Sequence, residues 1–196
     1  MAEIVAIGTS WGGLHALSTI VAGLPASFPV PIVVVQHRSR DAEALLRELL
    51  QQHAALEVCE VEDKQPLVTG HVFVAPANYH LLVDRGFCSL VTDPPVRYSR
   101  PSIDVMLYSA ADAYRAGAVG VVLTGANEDG AAGLRRIVDR GGHALVQDPQ
   151  TAESPVMPRA ARKAVPEAEV VPLEEIAPRL ARLAAPSGVV GARRGR

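Results

Sequence analysis

The segment EIVAIGTSWGG, residues 3–13, decides the fold because it joins a short apolar run to a glycine-rich turn. The apolar run ends in Gly8, which predicts a buried strand. After the turn, apolar residues recur at helical spacing and Pro25 ends the helix; they are Leu14, Leu17, Val21 and Leu24. A strand followed at once by a helix is typical of a parallel sheet in an α/β protein.

The same alternation continues along the chain. Residues 30–36 (VPIVVVQ) predict a second buried strand, followed by a helix with Leu45, Leu46, Leu49 and Leu50 on its apolar face. Further strands are predicted at residues 118–123, 143–146 and 169–171. Further helices are predicted at residues 153–164 and 173–184, and around Leu134, Ile137 and Val138. This order predicts a doubly wound, Rossmann-like, mostly parallel sheet with helices on both faces.

The middle of the chain is less regular. Three short runs separated by turn signals predict a small β-hairpin excursion; they are residues 71–75, 81–84 and 88–92. Residues 93–101 are polar and hold three prolines, which predicts a loop. Ser102 is expected to cap a helix that carries Ile103, Met106, Leu107, Ala110 and Tyr114.

Size and composition limit the class of protein. The chain has 196 residues, of which 48% are hydrophobic, as expected for one domain with a sizeable core. We place that domain at residues 1–185 and expect residues 186–196 to be a disordered basic tail. A net charge of −2 gives no basic footprint for nucleic acid. Two isolated cysteines, no signal peptide and no membrane-spanning run favour a cytoplasmic protein that is not inserted in a membrane.

Three polar segments follow the buried strands. In an open parallel sheet, sites form beyond the carboxyl ends of the strands. Ser10 follows the first strand, His37 follows the second, and Asp129 follows the strand that begins at residue 118. A serine needs a base to remove its proton, and the base needs an acid to orient and stabilise it, so these residues predict a nucleophilic hydrolase.

The sequence around Ser10 supports this role. Residues 8–12 (GTSWG) fit G-x-S-x-G between a strand and a helix, which is the context of a nucleophile elbow. The backbone N–H of Trp11 is then expected to face a developing oxyanion.

Each residue also has a purely structural interpretation. Ser10 would cap the first helix, His37 would be a hydrogen-bonded histidine at a strand end, and Asp129 would complement a helix dipole. The competing acids are Glu128, Asp148 and Asp104, and the competing histidines are His15, His53, His71, His80 and His143.

Other classes of function fit the sequence less well. A nucleotide-binding module would need G-x-G-x-x-G or a P-loop, and an acid rather than Gln36-His37 at the end of the second strand. A metal site lacks paired ligands, because no two histidines are spaced i, i+4 and neither cysteine has a partner. A catalytically silent interaction module with this fold stays open.

Several separated segments carry a family resemblance. They are IGTSWGG (7–13), VVQH (34–37), VFVAPANYHLLV (72–83), PPVRYSRPSIDVMLYSAA (94–111), VLTGANEDGAAGL (122–134) and ALVQDPQTAESPVMPRAA (144–161). On these motifs the chain resembles the catalytic domain of the chemotaxis protein-glutamate methylesterase family, CheB, from about residue 3 to residue 184.

The resemblance implies a Ser10–His37–Asp129 triad, whose chain order differs from that of α/β-hydrolases. It implies hydrolysis of glutamate methyl esters, and deamidation of certain glutamines, on a methylated chemoreceptor or receptor-like protein, with no cofactor. By the same resemblance, Arg97 and Arg100 are expected to bind substrate, although a solvated loop that caps the next helix is an equal alternative.

The chain departs from the family pattern in three ways. It begins at the first catalytic strand without the usual receiver domain, as expected of a fragment or of a stand-alone homologue regulated by a separate response-regulator receiver. Trp11 replaces the usual small residue after the nucleophile, and a bulky indole would reshape the ester pocket. The pattern G-M-G-x-D-G appears as GANEDG in residues 125–130. These changes leave open a serine hydrolase that acts on a different ester.

Overall fold

A computed structural model of the protein describes residues 1–37 and 45–185. The strands are β1 (Ile4–Thr9), β2 (Ile32–Gln36), β3 (Glu57–Glu60), β4 (Gln65–Pro66), β5 (His71–Val74), β6 (His80–Asp84), β7 (Phe87–Val91), β8 (Ala118–Val122), β9 (His143–Gln147) and β10 (Glu169–Val171). The helices are α1 (Gly13–Ala22), α2 (Leu45–Gln51), α3 (Ile103–Tyr114), α4 (Ala131–Asp139), α5 (Val156–Ala164) and α6 (Leu173–Ala184), with a 3₁₀ turn at Arg115–Gly117.

Seven of the strands form one parallel sheet in the order β10-β9-β8-β1-β2-β5-β3. The first strand lies between β2 and β8, and the chain runs from it first toward one edge of the sheet and later toward the other. The predicted α/β class with a mostly parallel sheet is confirmed. The reversal of strand order at β1 is the place where such sheets form their sites.

Helices cover both faces of the sheet. On one face α1, α2 and α6 pack against the strands through side chains such as Leu17, Leu50 and Ile176. On the other face α3, α4 and α5 contribute Met106, Ile137 and Met157. The central strands β1 and β8 are almost entirely apolar, as expected of strands that are buried on both faces. The predicted doubly wound arrangement is therefore confirmed.

The middle of the chain differs from the prediction in the sheet to which one strand belongs, and it adds two short strands that were not predicted, β3 and β4. Residues 71–75 were expected in the hairpin excursion, but β5 lies in the main sheet, parallel to β2 and β3. The excursion itself is the antiparallel pair β6 and β7, with the short β4 added at its edge. Local turn signals mark the ends of β5 but do not determine which strand it pairs with.

Two helices bury a narrower face than predicted. Leu14 in α1 and Leu45 and Leu49 in α2 are exposed, although the periodicity placed them on the core side. Alanine and isoleucine at positions 16 and 20 complete the buried face of α1 instead. Ser102 caps α3 as predicted, because its hydroxyl accepts the N–H of Val105.

None of the helices within the described ranges has the length and apolarity needed to cross a bilayer. The predicted tail at residues 186–196 lies outside the described residues. The boundary at residue 185 stays a prediction.

Replacement of Gly8 by alanine is expected to destabilise the fold. An added Cβ would lie 2.1 Å from Cγ2 of Ile103, so β1 and α3 would have to move apart. We expect the free energy of unfolding to fall by about 1–3 kcal/mol, as for other overpacked cores. Chemical denaturation measures the change. A double variant with Ile103→Ala should lose less than the sum of the two single losses, and a fully additive loss would contradict the contact.

Candidate active site

The three predicted site residues lie at one edge of the sheet. Ser10 directly follows β1, His37 directly follows β2, and Asp129 lies between β8 and the start of α4. Because β2, β1 and β8 are neighbours and parallel, their carboxyl ends meet at this edge. The topology therefore brings together three residues that are far apart in the chain.

Backbone hydrogen bonds fix the turn that carries Ser10. The Ser10 N–H donates to the carbonyl of Thr124 at 3.0 Å, and the side chain of Gln36 donates to the Ser10 carbonyl at 2.7 Å. The residue that caps α1 is Gly12, which has a φ of 76° and makes no side-chain capping bond. Ser10 is thus not the helix cap, and its hydroxyl stays available for chemistry.

His37 and Asp129 form a buried pair. The His37 Nε2 and the Asp129 Oδ2 lie 2.8 Å apart, and the two side chains are 12% and 0% exposed. The His37 backbone N–H donates to Thr9, which holds the residue against β1. When Nε2 carries the proton toward Asp129, the lone pair of the neutral imidazole is on Nδ1. That nitrogen is then the one able to accept a proton.

Four donors surround the Asp129 carboxylate. Oδ1 accepts the Ser102 hydroxyl and the Asp104 N–H, both at 2.9 Å, and Oδ2 accepts the Ile103 N–H at 2.7 Å as well as His37. Burial alone would raise the pKa of Asp129, but the hydrogen bonds from His37, Asp104 and Ile103 outweigh it and lower the pKa. The carboxylate is therefore held ionised, as stabilisation of a protonated imidazole requires.

The helix end that Asp129 contacts belongs to α3 and not to α4, the helix that follows it in the chain. Its carboxylate accepts N–H groups from the first turn of α3. The free N–H groups of that turn and its positive end favour a negative charge.

Asp104 makes the reciprocal contact. Its Oδ1 accepts the backbone N–H groups of Gly130 and Gly133, at 3.0 and 2.7 Å, in the first turn of α4. Burial, followed by the nearby charge of Asp129, raises the pKa of Asp104. Asp104 in α3 thus binds the start of α4, and Asp129, just before α4, binds the start of α3. These hydrogen bonds fix the loop that carries Asp129. From the sequence, Asp104 was only an alternative to Asp129 as the acid of the triad, and its contact with the start of α4 was not predicted.

Asn127 is a further residue of the site that the sequence did not single out for a role. Its Oδ1 accepts the Asp129 N–H at 3.0 Å, and its Nδ2 lies 3.4 Å from Nδ1 of His37. The only signal in the sequence was that Asn127 stands where the family pattern has glycine. The asparagine side chain connects the acid loop with the ring nitrogen that would act as base.

Ser10 and His37 line one open cleft of about 570 Å³, together with Trp11, Gln36 and Glu153. Within the described residues the Ser10 hydroxyl makes no hydrogen bond, so its contact with His37 is not formed in this structure. Catalytic hydrogen bonds often tighten only when substrate binds. The position of both side chains on one wall of the cleft is compatible with such a step.

Trp11 stands at the mouth of this cleft with 66% of its surface exposed. Its carbonyl accepts the hydroxyl of Thr124 at 2.8 Å, which fixes the peptide after the serine. In the part of the chain that the structure describes, the backbone N–H of Trp11 donates to no acceptor. The oxyanion role of this N–H stays a prediction, compatible with its position just before α1.

The two arginines expected to bind substrate lie elsewhere. Arg100 donates to the side chain of Asn78 and to the carbonyls of Thr92 and Asp93, so its guanidinium holds the surrounding loops together. Arg97 lies 3.4 Å from Glu128 in a second cleft. Neither lines the cleft at Ser10, and their contacts with substrate stay predictions.

The competing nucleophiles and metal ligands have less support. Burial raises the pKa of Cys59 to about 11 and that of Cys88 to about 12, so both thiols stay protonated near neutral pH. Among residues 1–37 and 45–185, no three His, Cys, Asp or Glu side chains are grouped as a metal site would need. Among the candidate acids, Asp129 is the one that contacts His37.

Comparison with known proteins gives consistent matches. The model of the CheB methylesterase family matches residues 5–180. A provisionally named protein-glutamate methylesterase/protein-glutamine glutaminase from Leptospira interrogans is 44% identical over 183 residues, covering 92% of this chain and 94% of that protein. A protein-glutamate methylesterase/protein-glutamine glutaminase from Anaeromyxobacter dehalogenans is 43% identical over 174 residues, covering 89% of this chain but 51% of that protein.

A solved structure agrees with these matches. The crystal structure of the Thermotoga maritima CheB methylesterase catalytic domain superposes with a TM-score of 0.89 at 33% identity, covering 93% of this chain and 99% of that one. The chain spans about half the length of the Anaeromyxobacter relative and nearly all of the Leptospira one.

Proposed function

The chain belongs to the CheB methylesterase family, and from this premise we propose that it is a serine esterase that hydrolyses glutamate methyl esters on a methylated chemoreceptor or receptor-like protein and deamidates glutamine side chains. The observation that carries the proposal is the buried, ionised Asp129 that holds His37 on the wall of the cleft where Ser10 lies. Homologues named for both activities support the two reactions.

The first half of the reaction forms an acyl-enzyme. Ser10 Oγ attacks the ester carbonyl carbon while Nδ1 of His37 takes the serine proton. Asp129 stabilises the imidazolium through its bond to Nε2. The Trp11 N–H donates to the oxyanion of the tetrahedral intermediate. The intermediate then expels methoxide, which leaves as methanol with the proton from His37.

The second half regenerates the enzyme. Water attacks the acyl-enzyme carbonyl as His37 takes its proton, and Ser10 leaves with that proton. The product is a glutamate side chain. With a glutamine substrate the same steps release ammonia in place of methanol. These steps use only protein groups and water.

The cell compartment and regulation complete the proposal. Both cysteines are free thiols, as is usual in a reducing compartment, so we place the reaction in the cytoplasm. The proposed regulator is a response-regulator receiver, the kind of domain that family members usually carry.

Methanol release from methylated receptor membranes tests the proposed substrate. The parent protein should release methanol, and Ser10→Ala should release none above background. Hydrolysis of a simple aryl ester is measured in parallel. Aryl-ester turnover without methanol release would identify a serine hydrolase with another substrate, and inertness in both assays would favour a silent interaction module.

A further inference from the structure

A second cleft lies across one loop from the cleft that holds Ser10. It measures about 520 Å³ and is bounded by Arg97, Glu128, the first turn of α4 and one face of α5. We call it the cationic cleft. The loop between the two clefts is short, because Ala126 lines the first and Glu128 lines the second. Two residues span at most about 7 Å, so a wall of one cleft lies close to a wall of the other.

The cationic cleft carries unneutralised positive charge. The side chains of Arg159 and Lys163 in α5 are exposed, line the cleft, and make no ion pair or hydrogen bond within the described ranges. They are four residues apart on one helix, where like charges repel each other. Arg97 opposite them has a single long contact of 3.4 Å with Glu128, the one acid among the residues that line the cleft.

The arginines of the neighbouring helix α4 form ion pairs, unlike Arg159 and Lys163. Arg135 contacts Asp139 and Glu167, and Arg136 contacts Asp112. The sequence of α5, VMPRAARKA, has no acid, and two of its three cations, Arg159 and Lys163, line the cleft. A protein of net charge −2 thus concentrates free positive charge on one wall of one cleft. Such a surface attracts and orients an anionic partner.

The floor of the cationic cleft is made of small side chains. Ala131 and Ala132 of α4 face Ala160 and Ala164 of α5. Because α4 and α5 pack against each other, these short side chains leave an open groove along their junction, on which a rod-like segment can lie. On a helix, carboxylates three or four residues apart lie on one face, at the same spacing as Arg159 and Lys163.

We propose that the cationic cleft docks an acidic helical segment of the methylated protein substrate while the neighbouring ester enters the cleft at Ser10. This inference rests on the proposed function, because the substrate's own glutamates supply the negative charge. It assigns substrate binding to Arg159 and Lys163, and it gives Arg97 a role beside them. Docking at a distance from the ester contributes to binding of the protein substrate and not to the chemistry at Ser10.

The test compares two charge-matched double variants. Arg159→Gln/Lys163→Gln removes the two free cations of the cleft, whereas Arg162→Gln/Arg182→Gln removes two exposed cations that do not line it. We expect the first variant to lose about 10-fold in kcat/KM for methanol release from methylated receptor membranes, chiefly through KM, and to hydrolyse a small aryl ester like the parent. The second variant should match the parent on both substrates.

Equal losses in the two variants would overturn the proposal, and so would an equal loss on the aryl ester. A second measurement separates this proposal from the proposed function. A fluorescent helical peptide with glutamates three and four residues apart should bind the parent and the control variant at least 5-fold more tightly than Arg159→Gln/Lys163→Gln. That difference would support docking even if the parent released no methanol, and equal or absent binding to all three proteins would refute it.

Discussion

Ser10→Ala is expected to lower kcat for ester hydrolysis by on the order of 10⁶-fold, as in other triads from which the nucleophile is removed. The substitution removes the hydroxyl that attacks the carbonyl and leaves the backbone of the turn unchanged. The bonds from Ser10 N–H to Thr124 and from Gln36 to the Ser10 carbonyl do not involve the hydroxyl. The variant should therefore fold like the parent.

Steady-state hydrolysis of an aryl ester measures this loss, and thermal unfolding checks the fold. Ser18→Ala is the matched control, because Ser18 lies within α1, outside the residues that line the cleft. The control should keep full activity. Retention of more than a few per cent of the parent rate by Ser10→Ala would mean that another group is the nucleophile.

Asp129→Asn is expected to lower kcat by about 10⁴-fold, as loss of the triad acid does elsewhere. An amide has one acceptor oxygen where the carboxylate has two, and four donors converge on this side chain. An amide NH₂ facing His37 would need a lone pair on Nε2, so the ring proton would move to Nδ1. The base would then present its proton, and not its lone pair, to Ser10.

The same variant should lose stability and change its dependence on pH. The pKa of Asp129 is lower in the folded protein than in the unfolded chain, because the hydrogen bonds from His37, Asp104 and Ile103 outweigh burial. A group of this kind stabilises the fold above its unfolded pKa of about 3.9, and the contribution is lost as the pH falls through the lower folded value. Asp104, whose pKa is raised by burial, contributes with the opposite sign.

Denaturation from pH 7 down to pH 3 measures that dependence. The parent's advantage over Asp129→Asn should begin to shrink as the pH falls through the unfolded pKa of about 3.9 toward the lower folded value. Glu128→Gln is the control, because its carboxylate is exposed and contacts Arg97 rather than His37. A parallel pH dependence of the parent and Asp129→Asn would show that the carboxylate is not held ionised.

The order of strands and helices was predictable because the central strands are buried on both faces and their apolar runs are unmistakable. β3 was missed because glutamates form both of its ends, which leaves an apolar run of two residues between Glu57 and Glu60. Within the described residues this strand lies at the edge of the sheet, with β5 as its one partner. Which strand an edge strand pairs with depends on contacts between distant parts of the chain, and a local sequence pattern does not predict them.

The candidate triad residues were predictable from the positions in the sequence at which the predicted strands end. Ser10, His37 and Asp129 each follow a strand in sequence, and adjacency of those strands brings them together. The donors around Asp129 were not predictable, because two of the four are backbone N–H groups of α3. Any residue type has a backbone N–H, so only the packing of α3 against the acid loop reveals their role.

Labelling with a fluorophosphonate tests the central claim most directly, because the reagent bonds to a serine only when a neighbouring base activates it. Mass spectrometry of the digested protein should show one adduct, on the peptide that carries Ser10, and His37→Ala should form it far more slowly. An adduct on a different residue, or no adduct from a protein that still hydrolyses esters, would contradict the account.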